Sequence, residues 1–390
     1  MTNSQRALII GAGVAGPVLA LWLRRVGFEV ELVERRDERA AAEGAFLGLA
    51  PNGMAVLTAL GLDAEIARRG HAAMAFEFRS RTGAVIGRID RSADAQRFGA
   101  PLTMLRRADL NAALLEAARE AGVQVHLSRG LSALSEGARG VEAAFDDGTS
   151  TRADFVVGCD GLRSRTRALA LPDAPPPRAL GLYDYGGFAR DVELPAPPGV
   201  NLMVFGERAF LGAFRTPTGE VWWFHNGPRE ATHDAREGLL ELHAGDPAWI
   251  GDVLRATPHV LGPWPLYEIP SLPRYHRGRV CLIGDAAHAM PPSAGQGASL
   301  ALEDAMVLAM CLRDLADPTA AFARFERLRR PRVEAIARVA RRNTDPKAMQ
   351  SRVALWLRDR LLPVFLRLGA AAQERGYAYR VRWDEHVTAA

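Results

Sequence analysis

Three uninterrupted apolar runs punctuate this chain, and each passes straight into a turn containing glycine. Arg6-Ala7-Leu8-Ile9-Ile10 leads into Gly11, Phe155-Val156-Val157-Gly158 into Cys159-Asp160-Gly161, and Arg279 to Ile283 into Gly284-Asp285. Runs this short, ended by turn residues, predict strands buried on both faces, as in a parallel sheet. Between them the apolar spacing lengthens to helical. Pro17 to Val26 predicts a helix stopped by Gly27, Met54 to Leu60 a second, and Arg107 to Ala121 a third with Leu110, Leu114 and Ala118 on one face. Gly297 to Met310 predicts another. From Pro318 the chain reads as helical, with a break at Asp345-Pro346, a helix from Met349 to Leu368 and a kink at Pro363.

Elsewhere the pattern alternates every second residue. Met74 to Ser80 and Ala84 to Asp90 predict a hairpin around Arg81-Thr82-Gly83, and Thr103 to Leu105, Val123 to Leu127 and Gly140 to Phe145 predict further strands. Leu180 to Asp191, Asn201 to Gly206, Ala209 to Thr216 and Val221 to Asn226 complete, with that hairpin, a mostly antiparallel sheet. Proline clusters at 172–177 and 263–273 mark the crossings into and out of this second unit. Gly44 to Gly53 breaks every period and predicts a loop, whose glycines would let backbone lie against a flat ring.

With 390 residues, two domains are expected. Hydrophobic content of 48% and charged content of 24% are those of a globular protein. Lys+Arg 49 against Asp+Glu 45 is mildly basic, and Lys347 is the only lysine. The arginines are scattered without interleaved aromatics, which argues against a nucleic-acid partner. Cys159, Cys281 and Cys311 are far apart and form no CxxC or metal spacing, which fits a reduced cytoplasm and no metal site. Ala7 to Leu23 is uncharged but carries three glycines and a proline, so it predicts a strand-turn-helix and no stable membrane insertion.

The first motif is the most informative. Gly11-Ala12-Gly13-Val14-Ala15-Gly16 stands between a strand and a helix, and a second strand, Glu29 to Val33, ends on Glu34. Gly11 allows the turn, Gly13 lets backbone approach a pyrophosphate, and Gly16 lets helix pack on strand. The helix N-terminus favours phosphate, and Glu34 can accept from a ribose 2′-hydroxyl. These residues leave FAD and NAD open. Two further turns, Gly158 to Arg167 and Gly284 to His288 followed by Pro291-Pro292 and Gly295-Gln296-Gly297, place carboxylates at strand C-termini, where open α/β sheets bind ligands.

With these three motifs in this order, the chain resembles the single-component (class A) FAD-dependent aromatic monooxygenases, the para-hydroxybenzoate hydroxylase-like family, over most of residues 5–345. Its length and helical C-terminus resemble the tetracycline-inactivating, urate-type and antibiotic-tailoring members. The resemblance implies a Rossmann-type α/β FAD-binding domain (1–72, 101–175 and 270–345), a mostly antiparallel substrate domain (73–100 and 176–269) and a helical C-terminal segment (346–390). It implies non-covalent FAD, with NAD(P)H and dioxygen as co-substrates and a hydroperoxyflavin as oxygen donor. Gly11, Gly13, Ala15 and Gly16 with Glu34 and Arg35 would hold its ADP half. Asp160 would serve both FAD and NAD(P)H. Asp285 would hold the ribityl or pyrophosphate region, and Leu47, Gly48, Arg107, Pro292, Gly295, Gly297 and Ala298 would surround the flavin. Ser299 departs from the asparagine many members carry. No second GxGxxG follows a strand, in keeping with a nicotinamide cofactor that visits transiently.

The reaction implied is hydroxylation or epoxidation of a hydrophobic aromatic or polyketide-like small molecule. A reductase or oxidase of the same fold, and a non-catalytic flavin-binding homologue, are the alternatives. No triad or metal cluster is needed, since the cofactor carries the chemistry and the protein supplies a dry pocket. Phe205, Phe214, Trp223 and His225 are expected to line that pocket from the second sheet, with Trp222 and Phe224 packed behind it, and His225 is a candidate to assist deprotonation of a phenol. His288 is expected to organise the Asp285 turn. The protein is expected to be cytoplasmic and a monomer or homodimer.

Overall fold

The computed structural model describes residues 5–37, 44–229, 234–344, 360–361, 369, 371 and 373–388. Its first sheet has the strand order His276–Arg277, Val280–Leu282, Phe155–Gly158, Arg6–Ile10, Glu29–Val33, Gln124–His126. All neighbours are parallel except the first pair. The apolar runs are continuous because both faces of this sheet are covered. Ala7, Ile9, Leu32, Phe155 and Val157 pack with the helices Ala15–Val26 and Gly297–Asp314, while Leu8, Ile10, Val33 and Val156 pack on a three-stranded antiparallel sheet (Leu131–Gly137, Gly140–Phe145, Ser150–Ala153). Gly27 ends the first helix at φ 103°, in the left-handed region glycine tolerates.

A seven-stranded sheet forms the other half, in the order Leu261–Glu268, Arg178–Ala189, Val221–Gly227, Phe210–Arg215, Val200–Phe205, Ala75–Ser80, Val85–Asp90. Only Val200–Phe205 and Ala75–Ser80 run parallel. One face is closed by helices Ala235–Leu242 and Ala248–Arg255, whose Leu239, Leu242, Ile250 and Val253 join Leu202, Val204, Leu211 and Trp223 in a buried cluster. Leu261–Glu268 belongs to this sheet, although its prolines suggested a crossing; it lies at an edge, where proline's missing N–H is tolerated.

Between the two halves, Phe46–Leu49 is a strand and not a loop. Its partner Thr103–Arg106 lies far along the chain, so the pairing overrides the local glycine signal. The helix after it runs Pro51–Ala59. Helix Pro318–Thr344 keeps Pro331 within it. The expected helix at 349–368 and the kink at Pro363 lie outside the described residues, apart from 360–361. Residues 373–388 return across the molecule: Trp383 stacks on Trp22 at 4.2 Å and Tyr377 meets Phe98 edge-on at 6.0 Å. Among the described residues no helix is long and apolar enough to cross a membrane.

Candidate active site

The glycines of the first turn divide their work by what surrounds them. Gly11 takes φ +103°, and a Cβ there would lie 2.5 Å from the Cys159 carbonyl oxygen, on the neighbouring strand's turn. At Gly16 a Cβ would come within 1.9 Å of the Gly11 oxygen, so only glycine lets the helix seat this close. A Cβ on Gly13 would meet nothing within 4 Å; it faces open cavity. Asn111 clamps the turn, donating to the carbonyls of Ala12 (2.6 Å) and Gly13 (2.9 Å). Glu34 accepts from the amides of Ala12 at 2.9 Å and Arg36 at 3.0 Å, which leaves lone pairs on both oxygens for a ligand.

The second and third turns are cross-tied. Asp160 accepts from Ser164 Oγ (2.5 Å) and the Thr166 amide (2.9 Å), and Ser164 caps the short helix Arg165–Ala170 by accepting from the Arg167 amide at 2.8 Å. The buried Arg167 donates to the carbonyls of Leu162 and Ala286, each at 2.7 Å, and burial pulls its pKa down. Asp285 is exposed to the cavity. Behind it lies a buried ionic network. His288 Nε2 bonds Asp304 at 2.5 Å, Asp304 accepts from the Gly284 amide at 3.0 Å and from Arg329 at 2.7 Å, and Arg329 and Arg332 both donate to Glu303 at 2.7 Å. Burial opposes ionisation of Asp304, but His288 and Arg329 outweigh it and hold its pKa at about 2. His288 thus organises the Asp285 turn through Asp304. Glu303 also accepts from Asn52 at 2.7 Å, whose amide donates to Gln296 at 3.0 Å, so the network fixes the Pro291–Gly297 turn from beneath. Neither Asn111 nor the Glu303–Asp304 pair carries a local signal, since each acts on a turn distant in sequence. Ser299 is buried under Leu49-Ala50, where its Oγ accepts from the Ala50 amide at 3.3 Å.

One cavity of about 2020 Å³ runs from Glu34 and Arg35 past Gly11, Gly13, Ala15, Asp160 and Asp285 to Leu47, Gly48, Arg107, Pro292, Gly295, Gly297 and Ala298. Gly16 lies beneath it, packed as described. The cavity continues onto the seven-stranded sheet, where Phe76, Phe78, Met203, Phe205, Phe210 and Phe224 form an aromatic floor. The Phe224 ring lies over Gly212, where a Cβ would stand 2.1 Å from the ring. Asn201 Nδ2 and Asn226 Oδ1 are buried in this floor without a hydrogen-bond partner among the described residues.

The expected orientation of the Val221–Gly227 strand is reversed. Trp222, Phe224 and Asn226 point to the cavity side; Trp223 and His225 point into the helix-covered core. Alternation pairs Trp223 with His225 but cannot say which pair meets the helices. Trp223 is fully buried and donates from Nε1 to Thr257 at 2.8 Å. His225 shares a hydrogen bond with His243 at 2.9 Å, and His243 Nδ1 donates to Asp246 at 2.6 Å. Burial, then His243, pushes the His225 pKa well down. It has no route to a phenol in the cavity. Phe214 shares the cavity side of the sheet, yet it is fully buried in a cluster with Trp222, Met104 and Leu102, so it does not line the cavity.

The volume is about twice the upper end of the roughly 300–1,000 Å³ usual for one small-molecule site, so it accommodates a dinucleotide and a substrate together. The cradle at Gly13, the open faces of Gly161, Gly295 and Gly297, and the free helix N-terminus at Ala15 suit the backbone contacts that FAD requires. Fold and site together define a flavin-dependent aromatic monooxygenase. The chain belongs to the FAD binding domain family, whose model matches residues 4–179 and 268–342. It is 34% identical to 3-amino-4-hydroxybenzoate 2-monooxygenase PtnB3 of Streptomyces platensis, over 96% of this chain and 97% of that protein. It is 30% identical to 6-hydroxynicotinate 3-monooxygenase of Bordetella bronchiseptica, over 88% of this chain and 92% of that one. Its fold matches that of Klebsiella pneumoniae HpxO, solved with FAD and uric acid, with a TM-score of 0.80 at 24% identity, over 96% and 93% of the two chains.

Proposed function

We propose that this chain is an NAD(P)H-dependent hydroxylase of aromatic small molecules, with the substrate ring held between the Phe205–Phe210–Phe224 floor and the Leu47–Gly48 and Pro292–Ala298 segments. The observation that carries this is the continuity of one cavity from the glycine turn to the aromatic floor. The two sheets divide the labour, the six-stranded one serving the cofactor and the seven-stranded one the substrate. Gly11, Gly13 and Ala15 would hold the pyrophosphate, Glu34 and Arg35 the adenosine, Asp160 and Asp285 the central sugar-phosphate region. Arg107, Leu47, Gly48, Pro292, Gly295, Gly297 and Ala298 would hold the flavin ring. Bound FAD supplies the transfer of reducing equivalents from NAD(P)H and the activation of dioxygen.

The protein's own contribution is positioning and exclusion of water. Phe224 and Phe210 present flat apolar faces that orient a ring by stacking. The Glu303–Arg332 and Asp304–His288 pairs keep the Pro291–Gly297 turn rigid where ring and substrate would meet. Among the described residues no histidine, lysine or arginine of the seven-stranded sheet enters the floor, so the sheet's contribution rests on proximity and a dry site. The free cysteines Cys159, Cys281 and Cys311 suit a reducing compartment, in keeping with a cytoplasmic enzyme.

The test is to measure NAD(P)H oxidation by the FAD-loaded protein across a panel of phenols, anilines and fused-ring aromatics under ¹⁸O₂. Stimulated oxidation with one ¹⁸O atom in the product supports the reading. Flavin reduction with no labelled product for any aromatic rejects it in favour of a reductase.

A further inference from the structure

One row of side chains crosses the cavity face of the seven-stranded sheet. Trp264 stands opposite Asp184, Asp184 opposite Asn226, Asn226 opposite Phe210 and Phe210 opposite Phe205, and all five line the cavity. Asn226 is the centre of that row and only 3% exposed. Its Nδ2 donates to Asp184 Oδ1 at 2.7 Å, and a carboxylate only accepts, so the amide has one orientation. Oδ1 is thereby turned away from Asp184, and it has no hydrogen-bond partner among the described residues. Its neighbours on the floor are the rings of Phe210, across the ladder, and Phe224, two residues back on the same strand. Arg229 is engaged with the Tyr183 ring, 5.9 Å from its centroid. A buried amide oxygen without a donor is costly, and a ligand that brings one removes the cost.

The position of Asn226 relative to the cofactor half is the second observation. Gly186 pairs with Phe224, one row along from Asn226, and a Cβ on Gly186 would lie 3.2 Å from the Ala45 Cβ. The segment 45–48 therefore lands on the sheet beside Asn226, and the Arg107 amide donates to the Ala45 carbonyl at 3.0 Å. Leu47, Gly48 and Arg107 are the residues proposed above for the flavin ring, so a ligand bonded to Oδ1 lies where ring and floor meet. Asn201 Nδ2 is the other orphan of the floor. It lies four residues along and two strands across from Asn226, about 16 Å away at 3.3 Å per residue and 4.8 Å per strand.

We propose that Asn226 is a specificity-determining residue, whose Oδ1 accepts from a hydroxyl or amino group on the substrate's aromatic ring. This rests on the hydroxylase reading above and adds a recognition atom to it. It leaves the charge of the rest of the ligand to other groups, since Arg332, Arg342 and Arg375 also line the cavity.

The test is calorimetry on the FAD-loaded protein with pairs that exchange a hydroxyl for fluorine, which is similar in size and has no proton to donate. The pairs are 6-hydroxyquinoline and 6-fluoroquinoline, 3-hydroxybenzoate and 3-fluorobenzoate, and 4-hydroxybenzoate and 4-fluorobenzoate. One pair is neutral and two are carboxylates, so ligand charge cancels within each pair. At least one hydroxylated member should bind about tenfold or more tighter than its fluoro partner. Asn226→Ala should bring that ratio to within about threefold, while Asn201→Ala should leave it within about twofold of wild type. FAD content and melting temperature are the fold controls. Should Asn226→Ala fail them, Asn226→Ser, whose side chain is too short to bridge Asp184 and the ligand, takes its place with the same expectation. A ratio that survives loss of the Asn226 amide overturns the proposal, as does a wild-type ratio near one for every pair that binds, or no binding of any hydroxylated member. A ratio that collapses in Asn201→Ala and not in the Asn226 variant also overturns it and moves recognition to the other amide. A hydroxylated ligand that meets the ratio but yields no ¹⁸O product leaves the role of Asn226 standing and fails the hydroxylase reading instead.

Discussion

The cavity's two ends are built from different materials. At the glycine-turn end the backbone makes the site: Gly13 opens a cradle, a helix N-terminus faces it, and Glu34 and Asn111 hold the turn, Glu34 with lone pairs left over. At the sheet end side chains make it, and the same strand supplies floor from one face and core from the other. A backbone site tolerates no change of residue size where main chains touch. A side-chain site tolerates change in kind, provided the face is right. Predictions that separate the two ends follow from that difference.

The largest effect belongs to the strand's hidden face. Trp223→Ala should cost about 3–5 kcal/mol of stability, as truncation of a buried aromatic does, and leave the FAD dissociation constant within twofold. Guanidinium unfolding with parallel flavin titration checks both; intact stability would put Trp223 outside the core. On the cavity face, Phe224→Ala should weaken binding of an aromatic ligand by about 1.5–3 kcal/mol while FAD stays bound, and should raise peroxide release as water enters. Glu34→Ala should do the converse, weakening FAD by about 1.5–3 kcal/mol with aromatic affinity of the reconstituted protein unchanged.

Acid stability should report on the network beneath the Asp285 turn. The folded Asp304 pKa of about 2 lies below its ordinary 3.8, so its contribution is present above about pH 4 and fades as pH falls towards 2. Asp304→Asn should therefore flatten the acid limb of stability by about 2 kcal/mol, read from denaturant midpoints between about pH 5 and pH 2. An unchanged acid limb would mean that other carboxylates set it. The smallest effect should come from Gly13→Ala, which meets no neighbour: stability of the flavin-free protein should shift by less than about 0.5 kcal/mol while FAD binding weakens. Gly16→Ala, forced against the Gly11 oxygen, should instead destabilise the flavin-free protein by about 1–3 kcal/mol. Equal effects at the two glycines would dissolve the distinction between cradle and contact.

By itself the sequence determined the parallel sheet, the three turns at its strand ends and the existence of an antiparallel second sheet. Each is local: an apolar run wants burial on both faces, and a glycine at fixed spacing wants a turn, whatever lies elsewhere. Tertiary structure decided what depends on distant partners. Phe46–Leu49 became a strand because Thr103–Arg106 was there to pair with it. Glu303 and Asp304 could be placed inside an apolar helix because Arg329, Arg332 and His288 converge on them. The Trp222-Trp223-Phe224-His225 run shows the limit most plainly. Both faces of that strand are buried, so its alternation carries no polar side to name the outside. Only the two helices at 235–242 and 248–255, settling on the face that bears Trp223 and His225, left Phe224 for the cavity.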